Sequence, residues 1–84
     1  MFSASFKMSI KVRFFASLAD SVGRREAECA FVPGMTVESV WHEINGDTPL
    51  PGGALVAINH DYCTLDQALN DKDEVAYFPP VTGG

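Results

Sequence analysis

Asp73-Glu74-Val75-Ala76-Tyr77-Phe78-Pro79-Pro80-Val81-Thr82-Gly83-Gly84 is the stretch that decides the fold. It reads as a strand running directly into a stiff and then bare tail. Val75 and Tyr77 alternate with Glu74, Ala76 and Phe78, so the first two face a core and the other three face out. Pro79 and Pro80 hold the backbone extended and have no N–H to give to a sheet. Gly83 and Gly84 leave the terminal carboxylate without neighbouring side chains. Extended from Pro79, the tail reaches about 20 Å, enough to enter a pocket on another protein. The rest of the chain is expected to be the platform that carries it.

A matching strand lies near the start. From Ser9 to Phe15, Ile10, Val12 and Phe14 share one face, and Lys11, Arg13 and Phe15 share the other. That is the period of a half-buried strand. Phe15 is the exception, an aromatic whose parity sets it beside two charges. Ala16 to Val22 predicts a short helix, with Leu18, Ala19 and Val22 on one side and Gly23 at the left-handed end position. Arg25 to Phe31 alternates again, with Ala27, Cys29 and Phe31 opposite Glu26 and Glu28. The short connection makes this second strand antiparallel to the first.

Pro33-Gly34 marks a turn, and Thr36 is placed to cap a helix, with Glu38 in its first turn. Val37, Val40, Trp41 and Ile44 recur at helical spacing and form the apolar stripe of the main helix. Asn45-Gly46 ends it. The segment from Asp47 to Gly53 holds two Pro and two Gly and reads as a loop. Its internal Gly52-Gly53 pair carries no carboxylate and no chemistry. Ala54 to Asn59 predicts a strand, and Asn59-His60-Asp61 a turn. Cys63 to Leu69 reads as an irregular or helical connection with Leu65 and Leu69 inward, before Asn70-Asp71-Lys72-Asp73 turns into the last strand.

Hairpin, helix and further strands make the pattern of an α+β, β-grasp (ubiquitin-like) fold: a mixed sheet of four to five strands packed on one main helix, with an extended C-terminal tail. The first and last strands are then expected side by side in the middle of the sheet. Phe15 and Phe78 become neighbours on its open face. Residues 1–8 read as a frayed leader, 9–78 as the domain and 79–84 as the tail. Met8 is as good a start as Met1.

Bulk composition narrows the function. A chain of 84 residues makes one domain that buries about 60% of its unfolded surface. Six basic against 11 acidic residues leave a net charge of −5, which repels phosphate backbones and makes nucleic acid a poor partner. A protein with a basic pocket suits it better. No apolar run approaches the roughly 20 residues of a membrane span. The leader is too short for a signal peptide, and the expected compartment is the reducing cytoplasm.

No coherent catalytic set stands in the chain. His42 and His60 have no Ser or Cys at motif spacing, and there is no Gly-rich phosphate loop. Cys29 and Cys63 are too few for a disulfide scaffold or a zinc site. Cys29 reads as a small core residue, and Cys63 lacks the His or CxxC partner of a sulfur carrier. His42 reads as solvated, His60 as a turn residue, Lys72 as a solvated turn charge and Trp41 as core. Phe15 and Phe78 fit either scattered surface apolarity or an exposed patch for a partner. The two-aromatic parity favours the patch.

Lys11-Val12-Arg13-Phe14-Phe15-Ala16 and the terminal run from Asp73 to Gly84 resemble the small subunits of molybdopterin synthase, a family of ubiquitin-like sulfur carriers. The resemblance covers Ser9 to Gly84, and Phe-Pro-Pro-Val-Thr-Gly-Gly is its most specific part. It implies that an activating enzyme adenylates the Gly84 carboxylate with ATP and that sulfur replaces AMP to give a thiocarboxylate. The loaded tail then enters the large synthase subunit. Two loaded carriers convert cyclic pyranopterin monophosphate to the dithiolene of molybdopterin. By the same resemblance Gly83 threads a narrow channel, and Phe15, Tyr62 and Phe78 dock, followed by Pro79, Pro80, Val81 and Thr82. Tyr62 departs from the aliphatic residue expected there, so docking and covering the core edge both stay open for it. The implied partners are the large subunit, in a heterotetramer of two small and two large chains, the activating enzyme and a sulfur-transfer protein. No cofactor is bound permanently, and the catalytic residues belong to the large subunit.

The residues support such chemistry without the resemblance. A terminal glycine is the least hindered acyl group a chain offers, and the attack of its carboxylate on the α-phosphate of ATP is dominated by positioning. An acyl-adenylate is an activated ester from which a persulfide can displace AMP, and none of these steps needs a side chain from the carrier. Three alternatives share the pattern: a carrier for thiamine or cysteine synthesis, a ubiquitin-like modifier joined through Gly84 to a lysine, and an interaction module with an inert tail.

Overall fold

The first and last strands do lie side by side at the centre of one sheet. The computed structural model describes residues 8–80. Its elements are β1 (Ser9–Phe14), α1 (Ala16–Val22), β2 (Glu26–Ala30), α2 (Val37–Asn45), β3 (Leu55–Ile58), β4 (Asp61–Cys63) and β5 (Glu74–Phe78). The sheet order is β2-β1-β5-β3-β4. β1 and β5 are parallel, and every other neighbouring pair is antiparallel. This mixed five-stranded sheet with the main helix on one face is the expected β-grasp arrangement.

Alternation decides which face is which. Ile10, Val12 and Phe14 are buried while Lys11 and Arg13 are exposed. On β5, Val75 and Tyr77 are buried and their neighbours are half-exposed. α2 lays Val37, Val40 and Trp41 on that same face. Three rings interlock there. Phe14 meets Trp41 edge-on with centroids 5.8 Å apart and stacks on Tyr77 at 5.6 Å, while Trp41 meets Tyr77 edge-on at 5.1 Å. A buried phenol needs a partner, and the Tyr77 hydroxyl donates to the Val37 carbonyl at 2.7 Å. Burial pushes the Tyr77 phenol far above its ordinary pKa, so it remains a donor.

The start of α2 shows how a helix end is satisfied. Its first N–H groups have no partner within the helix. The Ser39 N–H donates to Thr36 Oγ1 at 3.2 Å, and the Thr36 N–H donates to Ser39 Oγ at 2.8 Å, a capping box. The Val37 and Glu38 N–H groups donate to the Gln67 and Leu65 carbonyls at 3.1 and 2.9 Å. The irregular segment between β4 and β5 therefore serves as the helix's cap. α1 ends as expected at Gly23, with φ of 88° and its N–H on the Ala19 carbonyl.

Two local expectations change. β1 stops at Phe14 because Ala16 takes φ of 53° and turns the chain. Phe15 nevertheless stays attached, its N–H donating to the Tyr77 carbonyl at 3.1 Å. Past β3, the turn comprises only Asn59 and His60, with φ of 50° and 75°. Asp61 and Cys63, expected in a turn and a connection, belong to β4, paired with β3. A two-residue hairpin with positive φ at both positions is usually announced by Gly. Asn-His hides it, and a strand so short shows no alternation.

A polar clasp fixes where β5 begins. Asp73 accepts from the Asn70 N–H at 2.8 Å and from Asn59 Nδ2 at 3.0 Å, and Asn59 Oδ1 accepts from the Glu74 N–H at 3.0 Å. Asp71 Oδ1 accepts from the Ser9 N–H at 2.8 Å, and the Lys72 N–H donates to the Ser9 carbonyl. The turn from Asn70 to Asp73 thereby ties β5 to the start of β1 and the end of β3.

Candidate docking face and tail root

The open face of the sheet carries an aromatic cluster where β5 gives way to the tail. Phe15 and Phe78 stack with centroids 4.7 Å apart and planes 10° from parallel. Their proximity follows from register: Phe14 pairs with Tyr77 across β1 and β5, and Phe15 and Phe78 come next on each chain. Tyr62 leans towards Phe78 from β4, at 6.1 Å. Phe15 is 38% and Tyr62 71% exposed, while Phe78, Pro79 and Pro80 are half-buried. The structure thus brings together Phe15, Tyr62 and Phe78, with Pro79 and Pro80 following Phe78 in the chain. Val81, Thr82, Gly83 and Gly84, like the leader Met1 to Lys7, lie outside the described residues.

Tyr62 can approach Phe78 across β3 because the intervening residues are small. Ala57 pairs with Tyr62 on one side and with Ala76 on the other. These two alanines floor a shallow concavity of about 380 Å³, walled by the three aromatics, His60, Arg13 and Glu74. Arg13 Nε lies 2.6 Å from a Glu74 carboxylate oxygen. A half-exposed pair of this kind adds little stability, but it matches the charges that border the apolar patch. The outward parity of Arg13, Glu74 and Ala76 was legible in the sequence. Ala57 and His60 give no such signal, because their place depends on the β3–β4 hairpin.

The remaining reactive side chains stand apart. Burial raises the Cys29 thiol pKa, with Glu43 and Glu28 adding to the effect, and burial also raises that of Cys63. Both thiols therefore stay protonated at neutral pH and are weak nucleophiles. His42 Nδ1 sits 2.7 Å from the Gly46 carbonyl at the end of α2, a helix-end contact. Among the described residues no group of three His, Cys, Asp or Glu is placed to hold a metal ion, and no helix is long and apolar enough to cross a membrane.

A model of the ThiS family matches residues 12–84, a span that includes the aromatic cluster and the whole terminal run. The chain belongs to the ThiS family. Within it, the chain is 38% identical over 81 residues to the molybdopterin synthase sulfur carrier subunit of Escherichia coli K12, covering 89% of this chain and 99% of that protein. Two solved structures share the fold. A putative molybdopterin converting factor, subunit 1, from Pyrococcus furiosus superposes with a TM-score of 0.71 at 28% identity, over 89% of this chain and all of that one. SAMP1 from Haloferax volcanii does so with a TM-score of 0.73 at 27% identity, over 90% and 99% of the two chains. As a ThiS family member, the chain has the ubiquitin-like β-grasp fold of these small carriers and modifiers.

Proposed function

We propose that this chain is the sulfur carrier subunit of a molybdopterin synthase, working in the cytoplasm. One observation carries the reading: in a ThiS family chain, the exposed Phe15 and the half-buried Phe78 stack on the open sheet face where β5 gives way to Pro79 and Pro80. The open sheet face docks on the large synthase subunit and on an activating enzyme. The tail delivers Gly84 to their active sites. The activating enzyme joins the Gly84 carboxylate to the AMP part of ATP with release of pyrophosphate, and sulfide-level sulfur from a donor displaces AMP to leave a thiocarboxylate. That sulfur passes to cyclic pyranopterin monophosphate in the large subunit. The carrier supplies no catalytic side chain, in keeping with two protonated thiols and a His42 held at a helix end.

Intact mass spectrometry after incubation with activating enzyme, ATP and sulfur donor tests this reading. The expected result is one oxygen-to-sulfur exchange confined to Gly84. Deleting Gly84, or adding a residue after it, should abolish loading and leave the fold intact. Molybdopterin formation unchanged by either variant would sink the reading.

The likeness to SAMP1 favours a second reading, attachment of Gly84 to lysines of other proteins, because "small archaeal modifier protein 1" is the name that structure carries. Acyl-adenylate formation is common to both. Covalent adducts of this chain in cell extracts, lost with Gly84, would establish it.

A further inference from the structure

The Gly52-Gly53 pair has no part in the chemistry, yet the structure sets it against the tail. β3 and β5 pair as far as Leu55 opposite Phe78. Two residues further along the same register, Gly53 stands opposite Pro80. This position has the parity of Asn59 and Glu74, where the Asn59 N–H donates to the Glu74 carbonyl at 2.8 Å. Antiparallel strands exchange hydrogen bonds at such positions. Pro80 has no N–H, so the ladder cannot continue. The two backbones instead approach with no side chain between them: a Cβ added at Gly53 would stand 3.4 Å from Pro80 Cβ and 3.9 Å from its Cγ.

Gly53 itself is held by its own turn. Its φ is +84°, and the Ala54 N–H closes onto the Pro51 carbonyl at 3.1 Å, as in a turn whose third residue needs positive φ. The turn thus offers bare backbone to a proline ring.

We propose that Gly53 is a positioning residue for the root of the tail: its missing side chain lets Pro80 lie against the turn, and this sets where the chain leaves the sheet beside the aromatic face. The inference rests on the carrier reading, since aim matters when Gly84 must enter a partner's active site. Pro79 and Pro80 are stiff, so a shift at Gly53 moves the proline pair and with it the point from which the tail departs. Preorganisation of this kind raises the fraction of docked complexes in reactive geometry.

Two substitutions separate backbone strain from the contact. Gly53→Ala puts a Cβ at ordinary contact distance from Pro80 but suits positive φ poorly. Gly53→Asn tolerates positive φ but carries its amide beyond Cβ into the Pro80 ring. In the full-length chain, an NOE between the residue-53 Hα and the Pro80 ring is expected in wild type and Gly53→Ala, and its loss in Gly53→Asn. In loading by the activating enzyme, Gly53→Asn should lose roughly tenfold in kcat with KM for the carrier unchanged, because the docking face is intact. Gly53→Ala should keep its kcat while melting at a lower temperature than Gly53→Asn. If Gly53 served only the turn, alanine would be the worse of the two in both measurements. That order, or wild-type kcat in Gly53→Asn, or no NOE in the wild type, overturns the proposal. Failure of the wild-type chain to be loaded at all overturns the carrier reading instead, and the aiming role with it.

Discussion

Phe15 and Phe78 form a parallel stack, 4.7 Å between centroids, on the side of the sheet that the main helix leaves open. Phe15 directly follows the first strand and Phe78 ends the last, and the parallel pairing of β1 with β5 brings them together. Pre-stacked aromatics that reach the surface are good anchors because little side-chain freedom remains to be lost on binding. Phe15→Ala or Phe78→Ala should each weaken binding to the large synthase subunit by about 2 kcal/mol, roughly thirtyfold, as read by calorimetry. In unfolding experiments a double-mutant cycle should return a coupling of about 1 kcal/mol. Binding unaffected by both substitutions would remove the docking role from this face.

Tyr77 links stability to alkaline pH. Its phenol keeps its proton when folded because burial raises its pKa, whereas an unfolded tyrosine ionises near pH 10. Above that pH the unfolded state holds fewer protons than the folded one. Stability is therefore intact below about pH 10 and falls above it, by up to about 1.4 kcal/mol per pH unit. Tyr77→Phe should start about 1 kcal/mol less stable, having lost the bond to the Val37 carbonyl, and lack this part of the decline. Urea titrations of both proteins at several pH values give the difference, with contributions from Cys29 and Cys63 cancelling.

The capping box at Thr36 and Ser39 should behave as one unit. Thr36→Ala is expected to lower stability by about 1 kcal/mol, followed by Trp41 fluorescence in urea. Ser39→Ala should lower it less, and the double variant should lose less than the two effects added, since each residue's bond supports the other's.

Ala16 holds positive φ without being glycine, a conformation that disfavours an L-residue by about 1 kcal/mol or more. Ala16→Gly relieves this but gains freedom in the unfolded chain, a loss of about 0.4–1 kcal/mol. The net expectation is a gain of about 0.5 kcal/mol, seen as a melting temperature higher by about 2–4 °C. A lower melting temperature would mean that Ala16 is not strained.

Much of the platform is legible in the sequence because its signals are local. Ile10, Val12 and Phe14 announce β1 by their spacing, Val75 and Tyr77 announce β5, and Val37, Val40 and Trp41 announce α2. Gly23 and Thr36 mark helix ends by conformational preference and hydrogen-bonding reach. β4 escapes such a reading, since Asp61, Tyr62 and Cys63 are too few to show a period and their turn lacks glycine. With β4 unseen, Tyr62 looks like a turn residue. Only the hairpin brings it across Ala57 towards Phe78.

The sequence by itself determined the strands that alternate, the helix with its stripe and caps, and the outward parity of Phe15 and Phe78. Each depends on periods of two or 3.6 residues along one stretch of chain. Tertiary packing sets the alanine floor under the aromatics, the Arg13–Glu74 pair, the capping of α2 by the Leu65 and Gln67 carbonyls, and the close approach of Gly53 to Pro80. These are meetings between segments far apart in the chain. Cross-strand register sets them, and register is a property of two backbones hydrogen-bonded together, which neither stretch of sequence holds on its own.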